Sequence, residues 1–534
     1  MEKKQLEYLN YLYRTLKKRD AEILKYFCDE NISDNDYFSY GVQNDIISNA
    51  LNIIINYLSD NIMSTGVDNS CRTVIEAMTI LNIDKAGRIS DKQKTIYRYL
   101  YSYVDTDNFH SLLKDSDGKF NDKMKKVLED KEKAKTAILE HFNCSPKELD
   151  GRDIGIDDPC FYLKHNLKDK IRFSYLVAKY QPANTEFSKM YELFSIFIHP
   201  RCEMDQKVEK VLLSIRKNYV DKIINFVYKY LESYKFLFSK KTLKNIRDFN
   251  KDFFCNPIIS NNIFNINSID VAFNIIIQKT CIITDGFDYF ACQFLNKIKH
   301  IIIDMMISET LGYKEHIIVI FKSFVEEYAV FYAIGSIADL KEFNYVKQAF
   351  EYSSRMQFEQ YFNELNAKDM LIPQEDIKSL YNNYYKDKYN LTSYDKFCRE
   401  LTRNSLYFLS KEKKSYNKLA RKLIEDVFSF NELESKDVMT LYRISKDMGH
   451  ASGYSFNATE GIIDSYCHKS LLYSFKLLKF YLLSASLTLN EHNEKCDLSL
   501  INRNIDILIE LESEKLKEIY EIYKINVLFH NKNI

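Results

Sequence analysis

Tyr191-Glu-Leu-Phe-Ser-Ile-Phe-Ile-His199 and Tyr442-Arg-Ile-Ser-Lys-Asp-Met-Gly-His450 each carry a tyrosine followed eight residues later by a histidine, and they lie 251 residues apart. A second matching pair lies upstream. Cys71-Arg-Thr-Val-Ile-Glu-Ala77 faces Phe321-Lys-Ser-Phe-Val-Glu-Glu327 at an offset of 250, which pairs Arg72 and Glu76 with Lys322 and Glu326. The distance from Glu76 to Tyr191 is 115 residues and from Glu326 to Tyr442 is 116, so two short motifs keep their separation across diverged sequence. Downstream, Glu209, Val211, Ser214, Tyr230 and Leu231 meet Glu460, Ile462, Ser465, Tyr481 and Leu482 at offset 251. A period near 250 is too long for a solenoid. The expectation is two homologous domains in tandem, a pseudo-dimer in one chain: residues 1–238, a linker over 239–267, and residues 268–534.

Six Pro and 12 Gly punctuate 534 residues, while apolar residues recur at three- and four-residue spacing, so the fold class is all-α, two helical bundles of long helices with short loops. Predicted helices cover 2–27, 42–64, 70–83, 120–142, 160–180, 186–199 and 204–238. In the second half they cover 268–309, 314–336, 340–365, 394–408, 412–430, 436–449, Glu460 to about 488, and 498–528. Asn143–Pro159 reads as an inserted acidic loop, and Asn457-Ala-Thr-Glu460 as a helix N-cap with a capping acid three residues on.

Composition removes several function classes. Lys+Arg and Asp+Glu both number 75, so any polyanion binding is local rather than global. Eleven scattered cysteines without a Cys-x-x-Cys pair read as reduced residues of a cytoplasmic protein. The charged N-terminus offers no secretory apolar block, and the most apolar stretches, 317–337 and 470–489, carry internal charges that a membrane span tolerates badly. No Gly-rich phosphate nest, no His-Glu-x-x-His and no Cys/His zinc spacing occurs, so neither a cofactor nor a metal is expected.

The constellation with chemical content is Arg443-Ile-Ser-Lys-Asp-Met-Gly-His450. On an unbroken helix the two side chains fall within about 20° of one face and about 10 Å apart along the axis. An imidazole moves protons near neutral pH, and a guanidinium grips a phosphate with two hydrogen bonds. Together they suffice for RNA cleavage without metal. Lys411-Glu-Lys-Lys-Ser-Tyr-Asn-Lys-Leu-Ala-Arg-Lys422, with Lys413, Lys414, Lys418 and Arg421, is a candidate RNA-backbone grip.

The Arg-x6-His spacing at a helix end resembles the signature of the HEPN superfamily of helical domains, many of them RNases of toxin–antitoxin, abortive-infection and CRISPR systems. More closely, the Arg/Lys-x3-Glu helix followed by a Tyr-x7-His helix resembles an uncharacterised bacterial helical family related to HEPN and abortive-infection proteins. The resemblance implies an RNA-cleaving effector in which His450 and His199 meet across the pseudo-dimer, with Arg443 on the phosphate and Tyr442 lining the cleft. It further implies RNA and a protein regulator or antitoxin as partners, and either a monomer with internal symmetry or a homodimer. The first repeat departs from the pattern by placing Glu192 where the second has Arg443, with Arg201 just beyond its histidine. The same residues also read structurally: Arg443 and His450 as a helix-terminal pair, His199 as a core histidine, and Arg72–Glu76 and Lys322–Glu326 as buried pairs fixing Tyr191 or a neighbouring histidine. On that second reading the chain is a non-catalytic helical module that binds a ligand, RNA or a partner protein.

Overall fold

The computed structural model describes residues 14, 33–59, 61–99, 122–150, 161–166, 169, 171–183, 185–201, 206–233, 287–310, 312–337, 339–365, 367–386, 393–403, 416–429, 432–450, 460–491 and 499–523. Among them there are helices, turns and loops and no strand. The helices that build the frame are α1 (Asp34–Leu58), α2 (Thr65–Lys85), α3 (Phe173–Tyr180), α4 (Phe187–Phe197), α5 (Gln206–Ser233), α6 (Phe287–Thr310), α7 (Lys314–Gly335), α8 (Leu340–Met356), α9 (Tyr416–Val427), α10 (Glu432–Met448), α11 (Glu460–Glu491) and α12 (Ser499–Tyr523). Peripheral helices, such as Asp122–Phe142 and Tyr394–Arg403, are named by their ranges. No helix of the described residues is long and apolar enough to cross a membrane.

Helix starts follow local chemistry. α1 begins eight residues earlier than the periodicity alone places it, because the Ser33 hydroxyl accepts from the Asp36 amide and Phe38 packs edge-on against Tyr97 at 4.9 Å. Ser64 caps α2 in the same way through the Gly66 amide. The expected helix over 160–180 is broken into a single turn at Phe161–Leu163 and α3, since Asp169 turns the chain by accepting from the amides of His165 and Asn166. Inside the predicted acidic loop, Pro146–Asp150 forms a short helix. The predicted first helix, apart from residue 14, and the 239–267 linker lie outside the described residues.

α2 packs on α1, α3 and α4, and α7 packs on α6, α9, α10 and α11. Both central helices are buried on nearly every side, as their apolar stretches require. Two large cores result. One is built around Phe38, Ile46, Val74, Phe161, Phe194 and Val220, and the other around Ile298, Phe321, Leu423, Leu441, Tyr466 and Leu478. They interlock, because Ile303 and Ile307 of α6 and Phe358, Tyr361 and Phe362 belong to the first core.

Where α1 and α2 meet α6 and α7, the seam is polar and tight. Asp304 accepts from Asn56 Nδ2 at 2.8 Å and from Ser64 Oγ at 2.5 Å. His316 bonds the Ser48 carbonyl at 2.8 Å. A Cβ at Gly66 would stand 2.1 Å from Asp304 Oδ2 and 2.9 Å from Ile320, so only glycine permits this approach.

Candidate functional site

α2 and α7 each present a cation and a glutamate one turn apart, on the faces they turn toward each other's half. In α2, Arg72 Nε lies 3.1 Å from Glu76 Oε1. Tyr191 of α4 donates its hydroxyl to the same oxygen at 3.2 Å, and the Arg72 guanidinium stands 5.5 Å over the Tyr191 ring. The histidine that completes the group comes from the far half: His450 Nδ1 lies 3.3 Å from both oxygens of Glu76 and 3.2 Å from Arg72 Nη2. In α7, Tyr442 of α10 donates to Glu326 Oε1 at 2.9 Å, Lys322 Nζ lies 4.0 Å from that oxygen, and His199 Nδ1 lies 3.7 Å from Glu326 Oε2. Each glutamate thus takes a tyrosine from its own half and a histidine from the other.

The chain reaches this point because α10 stops at Met448. Thr73 Oγ1 of α2 donates to the Gly449 carbonyl at 3.2 Å, and a Cβ at Gly449 would stand 3.2 Å from the Ser445 carbonyl of α10's last turn and 3.5 Å from Asn69 Oδ1 of α2, so glycine suits this close approach. His450 therefore lies beyond the helix end, which overturns the expectation that it shares a helical face with Arg443. A wheel of about 100° per residue holds only while the helix continues. Arg443 is exposed and belongs to none of the cluster's hydrogen bonds; Arg72 is the guanidinium beside His450. Arg201 does not stand in for it either, because it makes a two-point pair with Glu209 at 2.8 and 3.1 Å. Glu192 is exposed. Of the basic segment, Lys418 and Arg421 are exposed, Arg421 pairs with Glu425 at 2.7 Å, and Lys413 and Lys414 lie outside the described residues.

Glu76 and Glu326 are almost fully buried, with 1% and 2% of their side-chain surface exposed, whereas the histidines differ: His450 keeps 11% and His199 42%. Burial favours the neutral ring at both. His450 is lowered by desolvation, which Glu76 opposes, while Arg72 and Lys322 push further down. His199 is lowered by desolvation against the pull of Glu326, again with Lys322 and Arg72 adding to the fall, although solvent at its open edge works against burial. Lys322 is lowered by burial more than Glu326 restores, with Arg72 and Lys446 adding their repulsion. Burial alone would raise Glu326, but Lys322, His199 and Tyr442 outweigh it and hold the carboxyl below the usual range. Both histidines thus sit in the field of the same two cations.

The two contacts at His450 Nδ1 are alternatives. With the proton on Nδ1 the ring donates to Glu76, and Nε2 is a free base; with the proton on Nε2, Nδ1 accepts from Arg72. Moving one proton swaps the partner. Among the described residues no hydrogen bond uses Nε2.

Sequence reading missed a second polar cluster, because its members come from three helices. Glu309, His468 and Glu512 bring donor atoms within 4.8 Å of one another, and His468 Nδ1 lies 2.6 Å from Glu512 Oε2. Lys515 bonds Glu309 and reaches Glu512 at 2.8 Å, so an ammonium already supplies the charge such a donor set attracts. Comparison with family models, with curated proteins and with solved structures finds no match to the chain.

Proposed function

We propose that this chain is a metal-independent RNA-cleaving effector of a bacterial defence or toxin type, made of two HEPN-like helical repeats in tandem. One observation carries the reading: His450 and His199, each opposite a buried glutamate of the other half, lie in a shared field with Arg72 and Lys322. The tandem reading draws support from the helices that bear these residues, since Thr65–Lys85 and Lys314–Gly335 keep the offset of the motifs themselves.

An imidazole held by a carboxylate at one nitrogen is oriented to take or give a proton at the other. In the proposed reaction one neutral imidazole takes the proton of a ribose 2′-hydroxyl, and the 2′-oxygen attacks the adjacent phosphorus. The bond to the 5′-oxygen breaks, and that oxygen leaves with a proton from the second, protonated imidazole, giving a 2′,3′-cyclic phosphate. Arg72 and Lys322 offset the charge that develops on the phosphoryl oxygens, the role the sequence assigned to Arg443. His199, the more open of the two rings, is the side from which a strand enters. An enzyme of this kind acts in the cytoplasm under a protein regulator or antitoxin.

The second reading, a non-catalytic module, is favoured by the burial of Glu76 and Glu326, which suits a latch between halves as well as a site. Total RNA incubated with purified protein in EDTA separates them. Cleavage by wild type that is lost in His199→Ala, His450→Ala and Arg72→Ala supports the enzyme. Absence of cleavage by folded wild-type protein, with the same variants losing only stability, supports the latch.

A further inference from the structure

Beside α2, α3 and α4 lies an open cleft of about 1140 Å³, lined by residues that include Arg88, Arg172, Tyr175, Lys179 and Tyr180. Ligand pockets commonly run to about 1,000 Å³, so there is room for more than one nucleotide. Its charge is unbalanced. The side chains of Arg88, Arg172 and Lys179 are exposed and make no ion pair or hydrogen bond with the described residues. Two acids also stand on the rim and keep their charge: Asp169 accepts from the amides of His165 and Asn166 at 3.1 and 2.9 Å, and Glu192 receives the Gln360 amide at 3.5 Å, so the cations exceed the carboxylates by one. Three exposed cations without an ion pair, in net excess over the carboxylates of one cleft, attract an anion.

Aromatic faces stand among them. Tyr175 is 63% exposed, an unusual position for a large ring, and Lys179 lies 5.8 Å from its centroid and 5.3 Å from that of Tyr180. Exposed rings interleaved with cations are what a flexible polyanion with flat, stackable bases requires. A phosphorylated peptide would use the cations and leave the rings idle.

We infer that this cleft binds single-stranded nucleic acid, its phosphates on Arg88, Arg172 and Lys179 and a base stacked on Tyr175. The inference deepens the RNA-cleaving reading and rests on it for the choice of strand. The cleft is also connected to the paired histidines. Arg172 precedes Phe173, whose ring packs 5.8 Å from Tyr191, the donor to Glu76. Asn82 Nδ2 of α2 holds the end of α3 through the Tyr180 carbonyl at 3.0 Å. The cleft wall and the cluster thus share α2, α3 and α4.

The test uses full-length protein in EDTA and a fluorescein-labelled dT12 strand, which has no 2′-hydroxyl and so reports binding whether or not the chain cleaves RNA. Fluorescence polarisation should show saturable binding that falls with salt. Arg88→Ala/Arg172→Ala/Lys179→Ala should weaken it at least tenfold and flatten the salt dependence by about two to three contacts. Tyr175→Ala should weaken binding while leaving the salt slope unchanged. Absence of binding by wild type, or unchanged binding by the folded triple variant, would overturn the inference, as would inorganic polyphosphate competing as well as unlabelled dT12 at equal charge. Loss of RNA cleavage with dT12 binding intact would count against the enzyme reading and leave the cleft assignment standing.

Discussion

His450 Nδ1 lies 3.3 Å from both carboxylate oxygens of Glu76, a residue 374 positions earlier in the chain. The contact joins two halves of the molecule through a carboxylate that is 99% buried with Arg72 beside it. Removing one member of such a group leaves the others unpaired in a poorly solvated place, at a cost of about 3 kcal/mol or more. Glu76→Gln is expected to lose that much in urea denaturation. A double-mutant cycle with His450→Asn should give a coupling of about 1 kcal/mol or more; strictly additive losses would show that the contact carries no energy.

The tyrosine hydroxyls predict a graded pair. Tyr442 reaches its glutamate at 2.9 Å and Tyr191 at 3.2 Å, so Tyr442→Phe should cost more than Tyr191→Phe. A hydrogen bond to a charged group is worth about 1.5–3 kcal/mol, which sets the scale for Tyr442. Equal losses in chemical denaturation would contradict the geometry.

Arginine swaps separate the sequence reading from the tertiary one. Arg443 is exposed, so Arg443→Ala should change stability by no more than about 0.5 kcal/mol and leave RNA cleavage at the wild-type rate. Arg72→Ala should abolish cleavage under the same conditions. The reverse pattern would restore Arg443 to the site.

Acid pH should favour catalysis. Desolvation lowers both His199 and His450 from 6.5, and the proposed reaction needs one ring protonated and the other neutral. The optimum of a pH–rate profile in EDTA should therefore fall below 6.5, with activity declining as pH rises through neutrality and the acid form is lost. A maximum above pH 7 would exclude these two rings as the acid–base pair.

His316 makes a separate prediction for stability. Its burial lowers it from 6.5 to about 4, with the bond to the Ser48 carbonyl opposing the fall. Between those values the unfolded chain binds the proton and the folded one does not, so stability drops as pH falls from 6.5 to 4, by about 3 kcal/mol in all. His316→Gln keeps a donor toward Ser48 and cannot titrate. In urea melts at pH 7 and 5 it should lose less stability on acidification than wild type does.

What the sequence determined by itself was the local order. Apolar spacing and the scarcity of Gly and Pro specified an all-helical chain, and most frame helices begin and end within a few residues of their predicted bounds, because helix formation depends on near neighbours and on caps such as Ser64. The repeated Tyr-x7-His and Arg/Lys-x3-Glu spacings also singled out Arg72, Glu76, Tyr191, His199, Lys322, Glu326, Tyr442 and His450, all of which meet in the two groups. The tertiary structure alone decided the partners. Helix periodicity is a statement about one helix, and it misled at Arg443 because α10 ends before His450. Which histidine faces which glutamate depends on how α10 lies on α2, through Thr73 and Gly449, and on how His199 reaches α7; both are products of packing between residues hundreds of positions apart. In the cleft, Arg172, Tyr175 and Lys179 share one face at helical spacing, but Arg88 joins them only because α2 packs against α3.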